Sequence, residues 1–423
     1  MNNENIGRRT FLTAATGAAA FTILKPQTVR GAAANSAVRI GLLGCGGRGS
    51  THLETLLKHT DARVTALADM FQDRLDKAKK LVNDLSEAGG RPGVQQTFLG
   101  PDSYRRILES KEIDAVVIAT PPYFHVEHLA AAVESGKHVY CEKPVAIDVP
   151  GTKRVLEIGE KAQGKLSLDV GFQIRMAPPY IELVKRIHAG ALGEICAGAA
   201  YYYCPRINGD YPDAPEPARK LRNWIMDRDL SGDIIVEQNI HAIDICNWVL
   251  QAHPLKAIAR GGRNGRNFPG DTCYSHYDVV YQYPNNVDVS FNSTQFGKSQ
   301  FDVNERFFGT RGSSQSPYSG PLGIWGEEKW IWSGSDKPAE GQFSASGSFS
   351  DNLADADPEK QKGFLASITS GNFHNQAAAG VESALSAMLG REAAYKGREI
   401  TWDELLHSTE RLDPGLDLTR MQS

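Results

Sequence analysis

The 423-residue chain has only six cysteines, Cys45, Cys141, Cys196, Cys204, Cys246 and Cys273, and no two of them form a C-x-x-C pair. A zinc ribbon or a dithiol redox motif is therefore unsupported. There is no basic block, and the formal net charge is −4, so nucleic acid is not an expected partner. Past the first thirty-odd residues no segment is apolar enough to be a transmembrane helix. There is no internal repeat. What remains is an ordinary globular composition, 41% apolar and 23% charged, with 41 glycines and 21 prolines. That suits a loop-rich α/β enzyme, and the length suits two domains or more.

The N-terminus departs from this composition. Arg8-Arg9 stand ahead of an Ala- and Gly-rich run from Phe11 to Leu24, too short and too weakly apolar to hold a bilayer. Lys25 follows, then the small residues Gly31-Ala32-Ala33-Ala34. Residues 1–34 resemble a twin-arginine export signal; the alternative is an uncleaved basic N-terminus. The resemblance implies a twin-arginine translocon as a partner and a periplasmic or otherwise exported destination. Cargo of that route folds in a reducing cytosol, so the fold need not depend on disulfides. Cys45 and Cys141 read as small packing residues rather than nucleophiles.

The chain is organised around Val38 to Gly49, VRIGLLGCGGRG. Val38, Ile40, Leu42 and Leu43 mark a short strand. Gly44 to Gly49 fits G-x-G-x-x-G, and Ser50 to Lys58 has helical spacing with Leu53, Leu56 and Leu57 on one face. Strand, glycine turn and helix are the context of a dinucleotide site. Gly44 allows the turn, Gly46 lets backbone approach a pyrophosphate, and Gly49 lets the helix pack on the strand. Gly44, Gly46, Gly47, Arg48 and Gly49 are the expected cofactor contacts, with the phosphates at the positive end of the helix dipole. A second strand, Arg63 to Asp69, ends in a carboxylate twenty residues past Gly49. Asp69 there can accept from both adenosine ribose hydroxyls and would repel a 2′-phosphate, which favours NAD over NADP.

From Val38 strands and helices alternate. Helices are expected at 72–86, 104–110, 125–135 and 152–163, and strands at 113–120, 137–141 and 165–170. This pattern predicts a doubly wound parallel sheet. The second half changes character. A helix is expected at 178–189, a strand at 195–203, a long Pro-rich loop at 204–220 and a helix at 233–250. Period-two strands follow at 274–283, 287–296 and 306–309, with a turn at Pro284-Asn285-Asn286. Helices are expected at 364–369 and 377–395. The predicted class is α/β: a Rossmann-type domain over 38–165 and an α+β domain over 166–423 carrying a large, mainly antiparallel sheet.

Glu142-Lys143-Pro144 lies at the carboxyl end of an expected sheet strand, where open α/β sheets bind ligands. Lys143 there can donate to a hydroxyl oxygen and stabilise a developing alkoxide. The plain alternative is a surface turn closed by proline. Glu237, His241 and Asp244 stand at i, i+4 and i+7, on one face of an expected helix. His241 can take a hydroxyl proton, and a carboxylate one turn away can fix its tautomer. The alternatives are a capped surface face or a metal site made of the same three ligands.

Gly44 to Gly49, Thr120-Pro121, His125 and Glu142-Lys143-Pro144 resemble the Gfo/Idh/MocA oxidoreductases, which act largely on sugars and polyols. Val170-Gly171-Phe172-Gln173, Glu237 to His241 with Asp244, and Gly380 to Arg398 extend the likeness over nearly everything after the leader. Two departures are Pro122, where the family often has Asn, and Glu237, where many members have Asp. The resemblance implies Lys143, His241 and Glu237 in catalysis. It implies Glu142 on the nicotinamide side, orienting Lys143, and Thr120, Pro121 and His125 near the nicotinamide ribose. His125 reads equally as a helix cap. Gln173 is expected on cofactor or substrate. Arg175 and Asp244 are expected at the substrate, with an interdomain ion pair as the alternative for Arg175. Tyr201, Tyr202, Tyr203 and Trp224 could stack on a sugar, although aromatics in a sheet are more often core. His374 could reach the substrate.

The expected activity is hydride transfer between a sugar or polyol CH–OH and NAD. Little free NAD is available outside the cytoplasmic membrane, so an exported enzyme is expected to retain its cofactor and run a redox-neutral cycle. That alternative takes the form of a sugar–sugar transhydrogenase or an NAD-dependent glycosidase that oxidises a glycoside transiently. A third reading is a non-catalytic sugar- or NAD-binding protein. A homo-oligomer, dimer or tetramer, is expected, and no resident metal.

Overall fold

A computed structural model describes residues 37–207, 211, 214–265, 270–297, 300–334 and 351–421. The export-signal expectation, residues 1–34, lies outside the described residues. Residues 37–423 pack as one compact unit.

The first half forms a six-stranded sheet in the order β3-β2-β1-β4-β5-β6, every neighbour parallel. Its strands are β1 (Arg39–Leu43), β2 (Arg63–Asp69), β3 (Gln96–Leu99), β4 (Ala115–Ile118), β5 (His138–Cys141) and β6 (Leu168–Val170). β1, β2 and β4 are apolar and buried along almost their whole length because helices cover both faces. Those helices are α1 (Gly47–His59), α2 (Gln72–Ala88), α3 (Ser103–Glu109), α4 (His125–Glu134) and α5 (Val149–Ala162). Ile40, Leu42, Leu53 and Val82 belong to the core on one face, and Leu43, Ile107, Leu129 and Val155 to the core on the other. The order reverses between β1 and β4, which opens a crevice at their carboxyl ends. β6 pairs with β5, so this sheet runs past residue 165. β3 has no strand signal in the sequence, since only alternate positions are half-buried.

The second sheet has nine strands in the order β14-β13-β12-β11-β7-β10-β9-β8-β15. They are β7 (Ile195–Cys204), β8 (Lys256–Gly262), β9 (His276–Tyr283), β10 (Val287–Gln295), β11 (Asp302–Gly309), β12 (Gly312–Gln315), β13 (Gly323–Gly326), β14 (Trp330–Ile331) and β15 (Ile400–Thr401). Among the described residues of this sheet only β7 and β10 run parallel. Burial alternates along β9 and β10, so one face is covered and the other is open. Ile258, Val280 and Phe308 are exposed apolar residues of β8, β9 and β11. Further helices are α6 (Pro178–His188), α7 (Ala218–Arg222), α8 (Ile240–Leu250), α9 (Ala356–Ser370) and α10 (Ala377–Lys396), with shorter helical turns at Arg228–Ser231, Ile234–Glu237 and Trp402–Leu406. α8 packs on β7 and β11, and α10 on β8 and β9. The single helix expected over 233–250 is instead a turn, Ile234–Glu237, then a break at Gln238-Asn239, then α8. Among the described residues no helix is long and apolar enough to cross a membrane.

Ionisable side chains also enter the core. Glu305 of β11 is fully buried. Ser316 Oγ donates to its Oε2 at 2.7 Å, and Oε1 has no hydrogen-bond partner among the described residues. Burial pushes its carboxyl up to about 8, so it is neutral at pH 7. An ordinary glutamate titrates near 4.5. The unfolded chain therefore gives up this proton first as pH rises. Stability contributed here is complete below about 4.5 and is lost as pH climbs through about 8. Glu305→Gln is expected to match the parent near pH 5 and exceed it near pH 9, measured as unfolding free energy in urea across that range.

Candidate active site

A cleft of about 530 Å³ lies between the carboxyl ends of the parallel strands and the second domain. The glycine loop forms its floor. Gly44 has φ +96°, and a Cβ there would lie 2.5 Å from the Ala119 carbonyl oxygen. A Cβ on Gly49 would lie 2.0 Å from the Gly44 oxygen, so α1 approaches β1 only because that position is bare. Gly46 is the N-cap of α1, and no side chain caps the helix. Its first-turn N–H groups are thus available to a phosphate. A Cβ on Gly47 would meet nothing within 4 Å. This cradle fits a dinucleotide pyrophosphate.

Asp69 braces the loop. Its Oδ2 accepts from the Cys45 N–H at 2.7 Å and its Oδ1 from the Phe71 N–H at 2.8 Å. Burial pushes its carboxyl up. Each oxygen keeps a second lone pair, so a ribose hydroxyl can still be bound. Thr120 Oγ1 pairs with His128 Nδ1 at 3.0 Å, and burial drives His128 down to about 3. Pro121 leads into a short turn, Pro122–Phe124. His125 sets both ring nitrogens 2.7 Å from backbone oxygens, those of Pro144 and Thr120. It ties the loop after β4 to the segment after β5.

Glu142 is a buried hub. Its Oε1 accepts from Arg48 Nε at 2.7 Å and His52 Nε2 at 2.8 Å, and its Oε2 from the Lys143 N–H at 3.2 Å. Burial pushes its carboxyl up, but Arg48, His52 and Lys143 outweigh that and hold it well below the usual range. With Nε2 donating, His52 Nδ1 accepts from Gln361 Nε2 at 2.8 Å. Arg48 reaches Asp357 of α9 with both terminal nitrogens, at 2.8 and 2.6 Å. The Arg48 side chain of the glycine loop is therefore spent on protein carboxylates.

The ammonium of Lys143 donates to the Glu237 carbonyl and to Glu237 Oε1, the latter at 3.0 Å. His241 lines the same cleft, is 5% exposed, and meets Phe172 edge-on with centroids 6.2 Å apart. Its Nδ1 has no partner among the described residues. Burial, then the charges of Lys143 and Arg48, push its pKa well down, so the imidazole is neutral. Gln173 also lines the cleft.

Several of the expected site residues are engaged elsewhere. Neither Glu237 nor Asp244 orients His241. The break at Gln238-Asn239 interrupts the expected helical face, and Glu237 turns to Lys143. Asp244 is captured by Arg175, at 2.8 and 2.9 Å, and by Ser383 Oγ at 2.6 Å. Arg175 and Asp244 are absent from the cleft lining, so neither is placed at a substrate. Tyr201 and Tyr203 stack on each other at 4.8 Å, and Tyr202 is core. Trp224 does line the cleft. His374 binds Asp169 at 3.0 Å instead. Among the described residues no cluster of three His, Cys, Asp or Glu is arranged for a metal ion.

Residues 38–170 match the family described as "Oxidoreductase family, NAD-binding Rossmann fold", and residues 180–315 match the GFO/IDH/MocA C-terminal domain. The chain belongs to the Gfo/Idh/MocA oxidoreductase family. Among the relatives of this family member, inositol 2-dehydrogenase 4 of Saccharopolyspora erythraea is 31% identical over 236 residues, 56% of this chain and 60% of that one. An inositol 2-dehydrogenase/D-chiro-inositol 3-dehydrogenase of Shouchella clausii is 34% identical over 50% of this chain and 53% of its own. The chain thus spans between half and three-fifths of the length of these relatives. The crystal structure of scyllo-inositol dehydrogenase from Lactobacillus casei, with bound NAD(H) and scyllo-inositol, superposes with a TM-score of 0.66 at 22% identity. It covers 87% of this chain and 100% of that one. A levoglucosan dehydrogenase in complex with NADH gives 0.66 at 19% identity, over 86% and 99%. At that identity the likeness is one of fold.

His52 and Asp357 in the Glu142 network, and Arg74 and Arg222 in the cleft lining, carry site geometry that the sequence did not disclose. Arg48 and His52 are one helical turn apart, which is the signal that could have paired them. Asp357 has none, being 309 residues from Arg48. Asp357→Ala in this Gfo/Idh/MocA protein leaves a largely buried guanidinium with one carboxylate instead of two. A loss of roughly 3 kcal/mol is expected, read as a lowered urea midpoint at unchanged slope.

Proposed function

We propose that the protein is an NAD-dependent oxidoreductase moving hydride between a sugar or polyol CH–OH group and a tightly held NAD. One observation carries this reading. Lys143 and a neutral His241, whose Nδ1 has no hydrogen-bond partner among the described residues, border the same cleft as the uncapped glycine-loop helix. Bound NAD would supply the hydride acceptor. Lys143 has three N–H donors, and Glu237 occupies two of them. The third is left for the substrate hydroxyl oxygen. As the carbonyl forms, His241 accepts the hydroxyl proton and the Lys143 charge stabilises negative charge on that oxygen. The inositol dehydrogenases among the relatives support a polyol as the substrate class.

Export by the twin-arginine route and assembly into a dimer or tetramer belong to the same proposal. Arg8-Arg9 and the apolar run after them support the first. The exposed Ile258, Val280 and Phe308 support the second. The test is to isolate the exported protein, determine its size in solution, and follow the reduced-nicotinamide absorbance as single polyols and sugars are added. Lys143→Met is expected to cut reduction by about a hundredfold or more while NAD still binds. Undiminished reduction in that variant, or a protein that binds NAD and polyol without ever reducing the cofactor, overturns the assignment.

A further inference from the structure

The far end of the cleft is crossed by a pair of residues from different domains. Arg222 ends α7 in the second domain, and Asp73 lies in the first turn of α2. The guanidinium donates to both Asp73 oxygens, at 3.1 and 2.6 Å. It also lies 3.9 Å above the centre of the Phe71 ring, and Arg74 is 5.5 Å from that centre. Phe71, Arg74 and Arg222 all line the cleft. Phe71 is the residue whose N–H is held by Asp69, so this cluster sits beside the expected adenosine ribose. The segment that carries Arg222 is itself anchored. Lys220 donates to the Pro414 carbonyl at 2.6 Å and pairs with Asp227 at 3.2 Å.

We propose that Arg222 and Asp73 form a latch across the adenosine end of the cleft, seated on Phe71, and that the latch slows the release of NAD. The inference rests on reading the cleft as the NAD site. Arg222 is only 15% exposed, whereas Asp73 is 62% exposed. The pair therefore closes the cleft from its solvent side. A bidentate ion pair on an aromatic face is a fixed geometry, which a lysine cannot reproduce. For the nucleotide to leave, the second domain must let go of the first at this point. Retention of the cofactor then comes from the protein's own interdomain contact rather than from any added bond to the nucleotide.

The test uses the full-length protein loaded with isotopically labelled NAD and chased with unlabelled NAD. Retained label is followed over time for the parent, Arg222→Ala, Asp73→Ala and the double variant. Arg222→Ala is expected to speed release roughly tenfold, the combined scale of one such ion pair and one cation–π contact, and Asp73→Ala about threefold, the scale of the ion pair alone. The double variant is expected to release no faster than Arg222→Ala, because both changes break the same unit. Arg222→Lys should fall between parent and alanine. Asp73 is exposed, so its alanine variant decides the question even if Arg222→Ala folds poorly. Release at the parental rate from Asp73→Ala overturns the latch and leaves the NAD site standing. A parent protein that takes up no label overturns the reading of the cleft and the latch with it.

Discussion

A single buried carboxylate holds the site together. Glu142 has little access to water, and an ionised group there is tolerated only because three donors surround it. Arg48 and His52 reach it from the first two turns of α1, and the Lys143 N–H comes from the next residue of its own segment. The requirement to neutralise one charge thus fixes the glycine loop and α1 against the segment that follows β5. It also dictates a glycine. A Cβ on Gly171 would sit 2.5 Å from Glu142 Oε2, so the strand-to-domain crossing must stay bare beside it.

The same logic extends outward through α9. This helix lies late in the chain, yet its side chains are directed at the first domain. Asp357 takes Arg48, Lys360 takes Asp169 at 2.8 Å, Gln361 takes His52, and Phe364 packs edge-on against Tyr140. Lys360 and Asp169 are both almost wholly buried, so that pair costs desolvation on each side and is held by added bonds from Gln376 and His374. The electrostatics of the cleft follow from this frame. Burial, reinforced by positive charge on Lys143 and Arg48, keeps the His241 imidazole neutral.

Much of this was legible in the sequence. The period of the apolar residues and the Gly44 to Gly49 spacing predict the parallel sheet, and Asp69 and Lys143 stand at strand ends because the alternation of elements puts them there. The strand-like alternation at 274–296 predicts the open second sheet. What the sequence hid has physical causes. Helical spacing suggested one face for Glu237, His241 and Asp244, but a backbone break turned the first toward Lys143, and a bidentate arginine took the last. Local periodicity carries no information on partners that meet only after folding. Asp357, Arg222 and their distant mates are of that kind. β3 and β8 went unnoticed because an edge strand, or one facing water on one side, lacks a continuous apolar run.

The path of α9 has one further consequence. A fragment comprising residues 38–170 would carry the whole parallel sheet, yet it would expose Arg48 without Asp357 and Asp169 without Lys360. Its glycine loop would lose the scaffold that steadies it. In evolutionary or engineered shuffling the nucleotide half of this protein is therefore not a portable cassette. Any donor module grafted in its place must bring, or be matched to, the stretch from Ala356 to Gln376.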